Sequence, residues 1–141
     1  MPTPNLALTE RVFAYIQAHP ETWEQRVWAA KTECGTACCF AGHAVALAHP
    51  DAAFDLPDDD EDDPTAYAVT LSGEKDSRPI RSAAVDALGL NEGEAENLFY
   101  EKNDLLDLAV AIENIAYAHG LAVPDSIAAY VLAHAPEADD A

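Results

Sequence analysis

Residues Asp58, Asp59, Asp60, Glu61, Asp62 and Asp63 form an unbroken run of six acids. Like charges this dense repel one another and cannot be buried together, so no packed element forms across them. The wider stretch 51–64 holds eight acids. It is expected to be an exposed, disordered loop, and the core must be assembled from what flanks it. The chain has 141 residues, half of them hydrophobic, which suits one domain with a real core. The loop is then an insertion within a single domain 1–141, and the tail 136–141 should fray.

The flanking segments read mainly as helix. Leu6, Val12, Phe13 and Ile16 recur near a 3.6-residue period after a capping Asn5, predicting a helix over 5–18 that stops at His19-Pro20. Pro20 and Glu21 suit the start of a second short helix, with Trp23, Val27 and Trp28 along one side. A third helix is predicted over 37–48 with Thr36 as its N-cap. Alternation of Tyr67, Val69 and Leu71 predicts a strand over 65–72, with 78–80 as a short second strand. Four helices should follow. The first, 82–88, is closed by Gly89. The next, 91–100, opens on Asn91 and Glu94, three residues apart, which suits a capping box. The third is capped by Asn103 or Asp104, carries Leu105, Leu108, Ile112 and Ile115, and ends at His119-Gly120. The last begins at Val123-Pro124. The expected fold is a mainly α domain of six or seven short helices with at most a small β-hairpin.

Charge narrows the partners. The chain has 26 acids against 7 Lys and Arg, a formal net charge of −19. Phosphates attract cations, so direct binding to nucleic acid or to an anionic membrane is not expected. The start Met1-Pro2-Thr3-Pro4 lacks the basic and apolar stretches of a signal peptide, and the expected location is the cytoplasm of a bacterial host.

The densest motif is Cys34-Gly35-Thr36-Ala37-Cys38-Cys39-Phe40-Ala41-Gly42-His43, preceded by Pro20-Glu21-Thr22-Trp23-Glu24-Gln25 and Trp28. It resembles a family of small uncharacterised proteins from actinobacteria and their phages, with a Pro-Glu-x-Trp-x-Gln segment followed by Cys-Gly-Thr-x-x-Cys-x-Ala-Gly. An Ala-Leu-Gly-Leu stretch is matched at 87–90, and Leu-Phe-x-x-x-Asn by Leu98, Phe99 and Asn103. The resemblance covers roughly 5–115 and implies a phage-type accessory protein, without assigning chemistry. Trp is common in the family at the position of His43, which implies that His43 is not a required ligand or catalyst.

The same residues support three physical readings. The first is packing: Trp23, Trp28, Cys34, Gly35, Thr36, Cys38 and Gly42 form a structural motif in which small residues let a helix be approached closely and the tryptophans act as core anchors. The second is a metal site at Cys34, Cys38 and His43, completed by Cys39 or His19. Zinc would suit that donor set, although the spacing is not a common zinc signature. The third is a reactive thiol at Cys38 or Cys39 in the first turn of a helix. Packing is preferred, and no cofactor is expected.

The leading expectation for function is a non-enzymatic protein that acts by protein–protein binding. It could be an acidic nucleic-acid mimic occupying a host or phage protein with a basic surface, with Asp58 to Asp63 as candidate partner contacts. The alternative is a small metal- or thiol-dependent protein built on Cys34, Cys38 and His43. A homodimer seam on the helix carrying Leu105 to Ile115, or on the last helix, leaves the oligomeric state open.

Overall fold

The computed structural model describes residues 3–25, 27–32, 35–55, 65–71 and 73–134. Cys34, the acids 58–63 and the tail 136–141 lie outside them. The elements are α1 (Leu6–Ala18), a 3₁₀ turn (Pro20–Thr22), β1 (Ala29–Thr32), β2 (Gly35–Cys38), α2 (Phe40–Ala48), β3 (Ala53–Phe54), β4 (Thr65–Ala66), β5 (Ala68–Thr70), β6 (Arg78–Pro79), α3 (Ile80–Leu88), α4 (Glu92–Leu98), α5 (Leu105–Ala118) and α6 (Asp125–His134).

The fold is mainly α, with six α-helices among the described residues. Local signals set most of their ends. Asn5 Oδ1 accepts from Leu8 N at 3.0 Å to start α1. Asn91 with Glu94, and Asp104 with Asp107, close reciprocal capping boxes at the starts of α4 and α5. Asn103 is not the cap of α5. Its side-chain amide turns back to α4 and donates to Asn97 O at 2.7 Å and Leu98 O at 3.2 Å, satisfying carbonyls the helix end leaves bare. Gly89 ends α3 with φ +68°, and a Cβ there would lie 2.3 Å from Thr3 O. That tight corner lets Asn5 N donate to Leu88 O at 2.8 Å, tying the N-terminal segment to α3.

The expected hairpin is β5–β6, in register Ala68↔Pro79 and Val69↔Arg78. Its other edge is taken by β3, which pairs Ala53↔Thr70 and Phe54↔Val69. The acidic stretch predicted as loop over 51–64 therefore opens with a strand. A second three-stranded antiparallel sheet, in the order β2-β1-β4, has β2 where the helix over 37–48 was expected to begin. The predicted helix after Pro20 is only the 3₁₀ turn, and Thr36 is paired with Lys31 in a strand rather than capping a helix. α2 starts at Phe40, with Cys39 at the N-cap position.

The core is one continuous cluster. α2 lies at its centre: residues Phe40 to Val45 are all buried, and the helix packs against α1 and α3. Phe13, Ile16, Phe40, Leu108 and Ile112 are fully buried. Each such side chain contributes roughly 1.5–3 kcal/mol of hydrophobic stabilisation. The stripe Leu108, Ile112, Ile115 on α5 is spent in this core, so it is not a free homodimer seam.

Candidate functional site

The motif residues converge on Gln25. Its side chain is 7% exposed and makes four hydrogen bonds. Oε1 accepts from Trp23 Nε1 at 2.9 Å and from Phe40 N at 3.1 Å. Nε2 donates to Leu98 O at 3.1 Å and Tyr100 O at 3.0 Å. The partners fix the amide orientation, since two are donors and two are acceptors. Phe40 N is one of the bare donors at the start of α2, so Gln25 caps that helix from fifteen residues away. The same side chain clamps the end of α4. Beside it, Glu24 N donates to Cys38 O and Cys39 N to Val27 O, each at 2.9 Å. This ladder sets the segment after the 3₁₀ turn against β2.

Gly42 completes the arrangement. A Cβ on it would lie 2.1 Å from Trp28 O and 2.6 Å from Cys38 Cβ, so α2 rests directly on the backbone at Trp28. Trp23 and Trp28 are half-buried against the core, and Trp28 meets Phe99 edge-on with centroids 6.0 Å apart.

At Cys38 and Cys39 this packing works against the alternative reading of a reactive thiol. Burial pushes the Cys38 thiol up to about 12, with the neighbouring Cys39 adding to it. Burial likewise raises Cys39 to about 11, against the lowering pull of nearby backbone N–H groups. Both are therefore thiols at neutral pH, and the thiolate is the nucleophile and metal ligand. His43 is 5% exposed, and its Nε2 donates to Thr22 O at 2.8 Å. Burial holds its pKa below the usual value. Of the set Cys34, Cys38 and His43, Cys34 lies outside the described residues and His43 has its Nε2 committed to a backbone carbonyl. Among the described residues no three His, Cys, Asp or Glu side chains are grouped to hold a metal ion.

Differential alkylation read residue by residue should modify Cys38 and Cys39 only after denaturation. Cys38→Ser should cost about 1–3 kcal/mol, because a hydroxyl replaces a buried thiol. A native-state adduct at either cysteine, or an unchanged melting temperature for the variant, would overturn this reading.

A recess lies elsewhere, between α4 and α5. This groove spans about 1040 Å³. Leu106, Val110, Ala111 and Ile115 line it with apolar surface, and Glu96, Asn97, Asp107 and Asn114 add acids and amides. At its side His119 Nε2 meets Glu94 Oε2 at 2.7 Å, joining the end of α5 to the start of α4. His119, the residue at which the sequence ends this helix, thus also holds the two helices together. The core stripe of α5, Leu105, Leu108, Ile112 and Ile115, marks the buried face of the helix and carries no sign of the groove on the neighbouring face. Leu106 and Val110, four residues apart on a neighbouring face, are the signal that could have found it.

Fold and site together define a small, mainly α protein with a motif-built hub and an open acidic groove. No family model, curated protein or solved structure matches the chain.

Proposed function

We propose that this is a non-enzymatic accessory protein that works by protein–protein contact, and that the α4–α5 groove takes a cationic amphipathic segment of its partner. The observation that carries the reading is the groove itself, with Leu106 and Val110 among acids and amides. Residues 91–134 contain eight acids and one lysine, Lys102. An apolar face supplies contact area, and the surrounding charge selects a basic partner and speeds its approach. The same charge disfavours nucleic acid as the occupant. A thiol enzyme built on Cys38 or Cys39 would need a thiolate that burial opposes.

The test uses the synthetic helical peptide LKKLLKLLKKLLKL and its Leu/Glu counterpart, followed by backbone amide shifts. The Lys peptide should perturb residues along α4 and α5, bind more weakly as salt rises, and lose about ten-fold or more in affinity in Val110→Arg. The Glu peptide should not bind. Shifts scattered over the whole acidic surface, with Val110→Arg indifferent, would overturn the proposal.

A further inference from the structure

Tyr100 lines two recesses. One is the α4–α5 groove; the other is a smaller pocket of about 270 Å³ where the segment after the 3₁₀ turn meets the end of α4. Three aromatic residues, Trp28, Phe99 and Tyr100, line this pocket together with the acidic Glu101. The Trp28 and Phe99 rings meet at 83° with centroids 6.0 Å apart, so they stand as two walls of a corner. Tyr100 is 52% exposed, leaving its ring open to a ligand. Its carbonyl is fixed by Gln25 Nε2 at 3.0 Å, so the backbone carrying that ring is anchored to the hub.

Aromatic faces are electron-rich and attract a cation placed within about 6 Å of the ring centroid. Perpendicular walls suit a compact, rounded head. A guanidinium is planar and stacks best on a single face. Among the described residues no cation of the chain lines the pocket. We propose that this corner binds an alkylammonium group, supplied as a lysine side chain by the segment seated in the adjoining groove. The lysine source rests on the groove reading above; the ammonium corner does not.

The test has two arms on the full-length protein. In the first, choline and its neutral isostere 3,3-dimethylbutan-1-ol are titrated at constant ionic strength while the two indole N–H signals are followed. Choline should shift the Trp28 signal saturably, and the alcohol should be at least several-fold weaker. The Trp23 signal is an internal control, because its N–H is held by Gln25 Oε1 at 2.9 Å. Tyr100→Leu and Glu101→Gln change exposed side chains, and each should weaken choline about 3- to 10-fold, while Val110→Arg should leave it unchanged. In the second arm, LKKLLKLLKKLLKL should shift Trp28 several-fold more strongly than its Leu/Arg counterpart does. Equal responses to choline and the alcohol, no response to either, or joint movement of Trp23 and Trp28 would overturn the ammonium corner, and a groove that still binds the Lys peptide would then leave the groove reading standing. Choline binding without any effect of the Lys peptide on Trp28 would overturn the lysine source. Failure of the Lys peptide to bind at all would overturn the groove reading and the lysine source with it, and would leave the ammonium corner standing.

Discussion

Gly42→Ala should be the most destabilising single-methyl change in the core. On helix propensity the change is favourable by up to about 1 kcal/mol, since alanine is the better helix former. Space decides otherwise. The new methyl would lie 2.1 Å from Trp28 O and 2.6 Å from Cys38 Cβ. Neither obstacle is the free end of a flexible side chain, so α2 itself must move. Every residue from Phe40 to Val45 is buried, so a shift there disturbs contacts with α1, α3 and the first sheet together. Extra methylenes in a close-packed core usually cost about 1–3 kcal/mol. A clash with two anchored groups should exceed that, against a total stability of about 5–15 kcal/mol. Thermal unfolding followed by circular dichroism should show a fall of about 10 °C or more. A midpoint within about 3 °C of the parent would show that α2 does not rest on Trp28 as the geometry requires.

That contact also marks where the sequence stops being legible. The later helices could be read because their signals are local. Asn91 and Glu94 sit one turn apart and cap each other, Gly89 supplies its own positive φ, and Leu108, Ile112 and Ile115 repeat at helical spacing. The segment 20–39 misleads for equally physical reasons. Trp23, Val27 and Trp28 are spaced as a helix would space them, and Ala29 and Ala30 are residues a helix favours. Their hydrogen-bond partners lie far along the chain: Ala29 pairs with both Cys38 and Ala66. Thr36 was the natural local cap for the next helix, but Gln25 supplies an acceptor from a distance and the helix starts at Phe40 instead. The site follows the same division. The motif residues stood out as residues, and the preferred packing reading fits the burial of Cys38, Cys39 and Gly42. The groove and the aromatic corner did not stand out, because each is made by side chains whose neighbours are set by tertiary packing.

Replacing Gln25 should be the second severe change, and two variants separate its donors from its acceptor. Gln25→Leu fills similar space and removes all four hydrogen bonds. It leaves Phe40 N, Trp23 Nε1, Leu98 O and Tyr100 O without the partner they have now. A buried polar group left unsatisfied costs about 1–3 kcal/mol; Asn103 still serves Leu98 O with its side chain and Tyr100 O with its backbone N–H, so the loss falls on Phe40 N and Trp23 Nε1 and a total of about 4 kcal/mol is expected. Gln25→Glu should behave differently with pH. Its carboxylate can still accept from Phe40 and Trp23, but it faces the carbonyls of Leu98 and Tyr100 with no proton to donate. The folded state therefore favours the protonated acid, raising its pKa above the unfolded value near 4.3. A raised carboxyl pKa means the folded state holds more protons, so stability relative to the parent is lost as pH rises. Urea unfolding of parent and variants at about pH 4 and pH 7 reads this directly, because the deficit of Gln25→Glu should shrink at the lower pH while that of Gln25→Leu should not. A Leu variant within about 1 kcal/mol of the parent, or a Glu deficit independent of pH, would mean that the amide is not the clamp between α2 and α4. The choline response should change as well: with one of its two donors gone from the Tyr100 carbonyl and only Asn103 N left on it, the Trp28 shift should weaken in the Leu variant even where enough folded protein remains to measure it.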